Sequence, residues 1–442
     1  MSDSSSAAAP AKPVAATGAL RDVPFMGVIF VVAEAVKRGF YNGHPDWSNL
    51  GQGQPEVGQM PGAPVRIDSV EIHPEDHAYG PLEGTSELRQ KVADYYNRLF
   101  RKGKSSQYTA ANVAIAQGGR LCLTRAMAAL ADVTVGYQLP DYTAYEDMFS
   151  THLSRLHPHP IRTREEDGFL LTPELFERAI DDVGMSAFVV SNPCNPTGNA
   201  IAGEDLKSLL ATCRERDVTM MLDEFYSHFI FQGVEGDPEG GAGKVVTAGD
   251  GPVSGAAYIE DVDKDPILIF DGLTKNHRYP GWRIGWVLGP PEMVESLART
   301  ASAIDGGPSR ITQRAALAAL EPARADQETE AVRVEFAKKR NLMIERLEAM
   351  GVRFARRPDS TFYCWGCLDQ LPAPLNDAME FFWRALDRQV MTVPGQFFDV
   401  NPGKRRGGKS PYNQWMRFSF GPDMDNMIQG LERLEAMVAE AR

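Results

Sequence analysis

Cysteine is scarce, with five residues (Cys122, Cys194, Cys213, Cys364 and Cys367) in a chain of 442. An odd number spread this widely excludes a disulfide framework. Cys364-Trp-Gly-Cys367 spells a CxxC, but it lies inside the apolar run Thr361 to Leu368. That run reads as a strand, not as the helix N-terminus a reactive pair needs. No second CxxC completes a zinc site, so two half-buried thiols and no bound metal are expected. Positive charge is also short: 46 Lys and Arg against 59 Asp and Glu leave a net −13. Such a balance argues against nucleic acid or an anionic membrane as the main partner. The longest apolar run, Phe25 to Val32, is far too short to span a bilayer. Met1 to Ala16 are rich in Ser, Ala and Pro and lack the basic and apolar regions of a secretory signal. A disordered tail and a cytoplasmic location are expected. No internal repeat is present.

The composition is otherwise that of a globular protein, 43% hydrophobic and 24% charged, and the length favours two domains. Helical periodicity runs through Phe25 to Phe40, Thr85 to Arg101 and Leu121 to Ala131. From Val133 the pattern alternates. Val133 to Leu139, Ser186 to Val190, Val218 to Leu222 and Pro266 to Phe270 read as strands, with helices near Thr143 to Phe149 and Glu204 to Arg216. Strands separated by helices predict βαβ units and a mostly parallel sheet. A Gly/Asp-rich stretch, Gly233 to Gly255, reads as a surface excursion. Helices follow at Pro291 to Ala303 and Ser309 to Leu320, and a long charged one at Arg324 to Met350 leads into a smaller domain. That domain carries strands near Phe362, Val390 and Met416 and a last helix from Met424. Two motif look-alikes are set aside. Gly240-Gly-Ala-Gly-Lys244-Val has Pro238 where a phosphate loop needs its first glycine, and Val245 where it needs a hydroxyl. His73-Pro-Glu-Asp-His77 misplaces the glutamate of a zinc helix and contains Pro74.

The chain is organised around Asp271-Gly-Leu-Thr-Lys275-Asn-His-Arg-Tyr-Pro-Gly-Trp-Arg283. A lysine leaves the end of a buried strand, and an arginine follows before a second apolar run, Ile284 to Leu288. That suits a covalent amine carrying an anionic ligand. Further polar residues stand where other apolar runs end: Asn195 in Ser191-Asn-Pro-Cys-Asn-Pro-Thr-Gly198, and Asp223 and Tyr226 after Met220-Met-Leu. Open α/β sheets bind ligands at this edge. Gly118-Gly119-Arg120 opens a helix, and a helix N-terminus is a ready anion site.

Together these segments resemble the class I/II aminotransferases, fold-type I enzymes dependent on pyridoxal 5'-phosphate, over roughly residues 24 to 440. The resemblance implies a large domain with a mostly parallel seven-stranded sheet between helices, and a smaller α+β domain. It implies boundaries at 1–20 for the tail, 21–65 for a segment belonging to the small domain, 66–322 for the large domain and 323–442 for the small one. Lys275 would form the covalent bond to the cofactor and act as general base, with Asp223 and Tyr226 as its catalytic companions. Gly119, Arg120 and Arg283 would hold the phosphate, Tyr142 would stack on the ring, and Asn195 and Tyr226 would reach its 3'-oxygen. Arg417 would clamp the substrate α-carboxylate near Asn195, and Gly53 would belong to a loop that closes over substrate. Tyr79, in Tyr79-Gly80 with Gly84, would reach the phosphate of a neighbouring subunit, which implies a homodimer with shared sites. The expected reaction is ping-pong transfer of an amino group between an L-amino acid and a 2-oxo acid. Elimination, oxidation and decarboxylation use the same core, and some regulators carry such a domain attached to a DNA-binding one. Gly272, the Gly233 to Gly255 stretch and the basic insert Asn401 to Lys409 depart from the family pattern.

Overall fold

The computed structural model describes residues 27–231 and 251–442. The N-terminal tail, and residues 233–250 of the Gly/Asp-rich stretch with its phosphate-loop look-alike, lie outside these residues.

Chain order begins with α1 (Gly27–Val36), β1 (Ser48–Asn49), α2 (Ser86–Phe100), β2 (Val113–Ala116) and α3 (Gly119–Ala129). Then come β3 (Val133–Leu139), α4 (Ala144–Ser150), β4 (Leu156–Arg162), α5 (Pro173–Val183), β5 (Ala187–Ser191), α6 (Gly203–Arg216) and β6 (Thr219–Asp223). The sheet is completed by β7 (Ile267–Gly272) and β8 (Gly285–Leu288). Its seven strands run in the order β2-β8-β7-β6-β5-β3-β4. All pairings are parallel except the two made by β8. The central strands β5, β6 and β7 are apolar almost throughout and buried along nearly their whole length, as a parallel sheet covered on both faces requires. The run Ile284 to Leu288 therefore turns back as an antiparallel strand.

Two elements before β5 escape a periodicity search. In β4 the sequence is Leu-His-Pro-His-Pro-Ile-Arg, and Pro158 and Pro160 would exclude a central strand. The strand lies at the sheet edge, bonded only to β3, so its prolines at alternate positions leave the ladder intact. Helix α5 is announced by its ends: Thr172 accepts from the Leu175 N–H, Pro173 opens the first turn, and Gly184 closes it with φ 63°.

Helices α7 (Pro291–Ile304) and α8 (Arg310–Ala319) precede the long α9 (Pro322–Met350). Beyond it lie β9 (Tyr363–Cys367), α10 (Ala378–Asp387), β10 (Val390–Met391), β11 (Val393–Pro394), β12 (Trp415–Ser419) and α11 (Met424–Ala441). β11, β12 and β9 form an antiparallel sheet, and β1 pairs with β10, bringing the N-terminal segment to this end. Helix α9 is tied to both sides: Glu328 pairs with Arg278 at 2.6 Å, and Lys339 with Glu56 at 2.7 Å. The basic insert does not hang free. Glu146 on α4 accepts from the Asn401 N–H and pairs with Lys404, while Arg406 pairs with Asp399. Cys364 and Cys367 are buried in β9, and burial pushes both thiols up, Cys367 to about 11. His73 caps a short turn over Pro74–His77, and no metal-binding cluster occurs among the described residues.

Beneath the sheet's edge lie two buried carboxyls. Glu224 Oε1 accepts from the Gly255 N–H at 2.7 Å, while Oε2 has no partner. Burial pushes this group up to about 8, and Asp271 well above the carboxylate range. Between the ordinary value of 4.5 and about 8, the folded chain holds a proton at Glu224 that the unfolded chain has lost. Stability therefore falls as pH rises through that window. Glu224→Gln should make the decline in urea midpoint between pH 5 and 8 shallower. An unchanged slope would mean that this carboxyl titrates normally in the fold.

Candidate active site

The parallel strands bring their C-terminal ends to one edge, and polar residues collect there. Ser191 ends β5, Asp223 ends β6, Asp271 is the penultimate residue of β7, and Asp141 follows β3 by two residues. Asp141, completely buried, accepts from the hydroxyl and the N–H of Ser191, and Ser191 Oγ accepts from the Asn195 N–H at 3.1 Å. The Asp141 side chain thus fixes the loop that carries Asn195.

Lys275 leaves β7 into a partly buried cleft, its amine donating to the Gly53 carbonyl. Burial, reinforced by the guanidiniums of Arg283, Arg417 and Arg120, pushes the ammonium down to about 7 against the pull of Asp223. Its neighbour Asn276 clamps the loop. The amide donates to both Asp271 oxygens at 2.9 and 3.0 Å and to Ser227 Oγ at 3.0 Å, and its oxygen accepts from the His228 N–H. Tyr96 completes the shell of Asp271 at 3.1 Å.

Asp223 is 4% exposed and accepts from the Tyr145 hydroxyl at 2.9 Å. Burial lifts it to about 6, opposed by the Tyr145 and Phe225 hydrogen bonds and by Lys275. It is therefore predominantly ionised at neutral pH. The Tyr226 hydroxyl lies 2.9 Å from that of Tyr363, the first residue of β9. Tyr142 is half-buried, and its hydroxyl accepts from Arg120 at 3.1 Å.

Arg417 projects from β12 and is 1% exposed. It donates to Asn195 Oδ1 at 2.9 Å and to the Gly51 carbonyl at 2.8 Å, while its Nε has no partner. The rings of Tyr363 and Phe398 flank it at 4.1 and 5.1 Å. Its partners are neutral oxygens, so a buried positive charge awaits an anion.

The start of α3 forms a cradle without side chains. A Cβ at Gly118, where φ is 87°, would fall 2.2 Å from an Arg283 nitrogen. One at Gly119 would strike the Phe225 ring at 2.0 Å, and one at Gly285 the Gly119 nitrogen at 2.7 Å. The first N–H groups of a helix have no intrahelical acceptor, and an arginine fork stands directly beside them. Close by in sequence, Thr274 Oγ1 is buried without a partner. A phosphate fits this donor set, a protonated ring nitrogen fits Asp223, and an amine-reactive carbon fits Lys275. Tyr79 stands apart, 98% exposed in the single chain.

Sequence inspection singles out Lys275, Asp223, Tyr226, Asn195, Arg417 and Gly53, and the structure brings them together around one cleft. It does not single out Tyr145, Asn276 or Tyr363. Tyr145, in the first turn of α4, stands three residues after Tyr142 and packs edge-on against its ring at 5.5 Å, a spacing that could have flagged it. Asn276 and Tyr363 become visible only when strand ends are juxtaposed.

The Aminotransferase class I and II family profile matches residues 45–434. Among similar proteins, an aspartate aminotransferase of Rhizobium meliloti (strain 1021) is 28% identical over 400 residues, covering 88% of each chain. An aspartate/prephenate aminotransferase of Thermus thermophilus is 28% identical over 367 residues, covering 82% of this chain and 84% of that one. The solved structure of aspartate aminotransferase from Thermus thermophilus with maleate superposes with a TM-score of 0.73 at 24% identity, covering 93% and 97% of the two chains. It supports the fold. With a profile match over most of its length, the chain belongs to the class I and II aminotransferases.

Proposed function

We propose that this chain transfers an amino group between an L-amino acid and a 2-oxo acid, with pyridoxal 5'-phosphate held by the residues just described. The observation that carries the reading is the placing of Asp223 at, and Lys275 just beyond, neighbouring strand ends, with the Lys275 amine on the Gly53 carbonyl and the buried Arg417 on Asn195 and the Gly51 carbonyl. The phosphate would lie on Gly119, the Arg120 N–H and Arg283, with Thr274 as an added donor. Asp223 would hold the ring nitrogen, Asn195 and Tyr226 the 3'-oxygen, and Tyr142 one ring face. Once bound, this cofactor supplies an electron sink for the charge left at the substrate Cα.

The protein's own residues do the rest. Arg417 binds the α-carboxylate and turns the Cα–H bond toward Lys275. The Lys275 amine, neutral in a substantial fraction at pH 7, takes that proton as general base. The Gly53 loop limits the access of water. The Arg120 guanidinium, held by Tyr142, also faces the cleft and suits a second carboxylate. An acidic amino acid is therefore the favoured substrate, in keeping with the names of the relatives. The functional division is a large domain over 66–322 and a small one over 323–442 joined by 21–65. A homodimer completes the site through Tyr79, and the exposure of Val65 (76%) and Ile72 (51%) on the same segment supports a covering second copy. The absence of a helix long and apolar enough to cross a membrane among the described residues accords with action in the cytoplasm.

Borohydride reduction of the purified protein should fix the cofactor to Lys275, and label on another lysine would overturn the assignment. Given an acidic amino acid without an oxo acid, the enzyme should stop after one turnover per site. Continued release of ammonia or CO₂ would identify a different reaction. Arg417→Lys should weaken amino-acid binding by roughly 1.5–3 kcal/mol, since lysine cannot reproduce the fork, with cofactor binding retained. Mixing Tyr79→Phe with Lys275→Ala subunits should restore part of the activity that each lacks. Two mixed but inactive partners would show that the sites are not shared.

A further inference from the structure

We propose that Tyr363 is a positioning residue that sets how strongly Tyr226 donates its hydroxyl proton, while its ring face holds Arg417 in line for the substrate carboxylate. This rests on the reading above that Tyr226 faces the 3'-oxygen of pyridoxal phosphate.

Both phenols are buried, Tyr363 completely, and their oxygens are 2.9 Å apart. Burial pushes both hydroxyls up, so each keeps its proton in the neutral range. The pair thus has two protons, only one of which can lie between the oxygens. If Tyr226 directs its proton to the ring oxygen, the proton between them comes from Tyr363. A hydroxyl that accepts a hydrogen bond becomes a stronger donor, so Tyr363 strengthens the Tyr226 contact. The bond also joins two parts of the fold: Tyr226 follows β6 of the large sheet, and Tyr363 opens β9 of the small one. In the same position the Tyr363 ring lies 4.1 Å from the Arg417 guanidinium carbon. One side chain therefore touches both the group that tunes the cofactor and the group that binds substrate.

The charged and titratable groups acting here are Arg417 on β12, Tyr142 beside α4 and, through Lys275, also Arg283, Arg120 and Asp223. All of them remain in the variants below. Tyr226→Phe removes the donor to the ring oxygen, which is then less stable as an anion, and the cofactor-bound nitrogen keeps its proton to higher pH. Tyr363→Phe should act in the same direction but less strongly.

The test is a spectrophotometric pH titration of the holoenzyme without substrate. Tyr363→Phe should raise the midpoint of the cofactor absorbance change by about half a pH unit or more. Tyr226→Phe should raise it further, and the double variant should match Tyr226→Phe alone. Because phenylalanine keeps the ring over Arg417, KM for the amino acid should change by less than about twofold in Tyr363→Phe, whereas Tyr363→Leu should raise it well beyond that. A wild-type midpoint in Tyr363→Phe overturns the proposal, as does an equal shift in the Tyr226→Phe background. If Tyr226→Phe itself leaves the midpoint in place, or no cofactor absorbance titrates, the assignment of Tyr226 or of the cofactor fails first, and the proposal falls with it.

Discussion

A sheet whose two faces are both apolar can place polar groups only where its strands end. That constraint shapes this protein. β5, β6 and β7 are buried almost throughout, yet they finish on Ser191, Asp223 and the Asp271-Gly272 pair. Parallel pairing puts these ends side by side, Ser191 opposite Asp223 and Asp223 opposite Phe270. Water cannot satisfy such groups, so each draws in a dedicated partner: Asp141 for Ser191, Tyr145 for Asp223, and Asn276 with Tyr96 for Asp271. The site is the sum of those local settlements.

The electrostatic character follows from the same burial. A carboxylate and an amine placed in one cleft would ordinarily neutralise each other as a tight pair. Here burial, reinforced by three guanidiniums, brings the amine down to about 7, while Asp223 is lifted only to about 6. Acid and base identities are thus separated by surroundings and not by residue type. Arg417 takes part from the other sheet, which makes the environment of Lys275 sensitive to how the two parts of the fold meet.

Much of this was legible in the sequence because strand ends have a recognisable form: an apolar run followed by Asp, Lys or Asn with turn residues. Lys275, Asp223 and Asn195 stand out for that reason, and Arg417 because an arginine within an apolar strand demands explanation. Residues that act through pairing across the fold carry no such mark. Tyr363 looks like any aromatic in a strand until β9 is set beside β12, a register that only the folded chain provides. Asn276 resembles an ordinary loop residue until the two Asp271 oxygens, Ser227 Oγ and the His228 N–H converge on it. β4 was hidden by its prolines, which are admissible only because the strand lies at the edge.

Those prolines have a further effect. In a parallel strand alternate N–H groups face opposite neighbours, and β4 keeps its ladder to β3 unbroken. Pro158 and Pro160 therefore fall on the outward side, removing successive donors from the sheet's free border. A strand from another molecule arriving there would find carbonyls to donate to but no matching N–H groups for its own. The sheet is sealed chemically along that border, and growth by edge-to-edge addition, the route to fibrous aggregates, is discouraged.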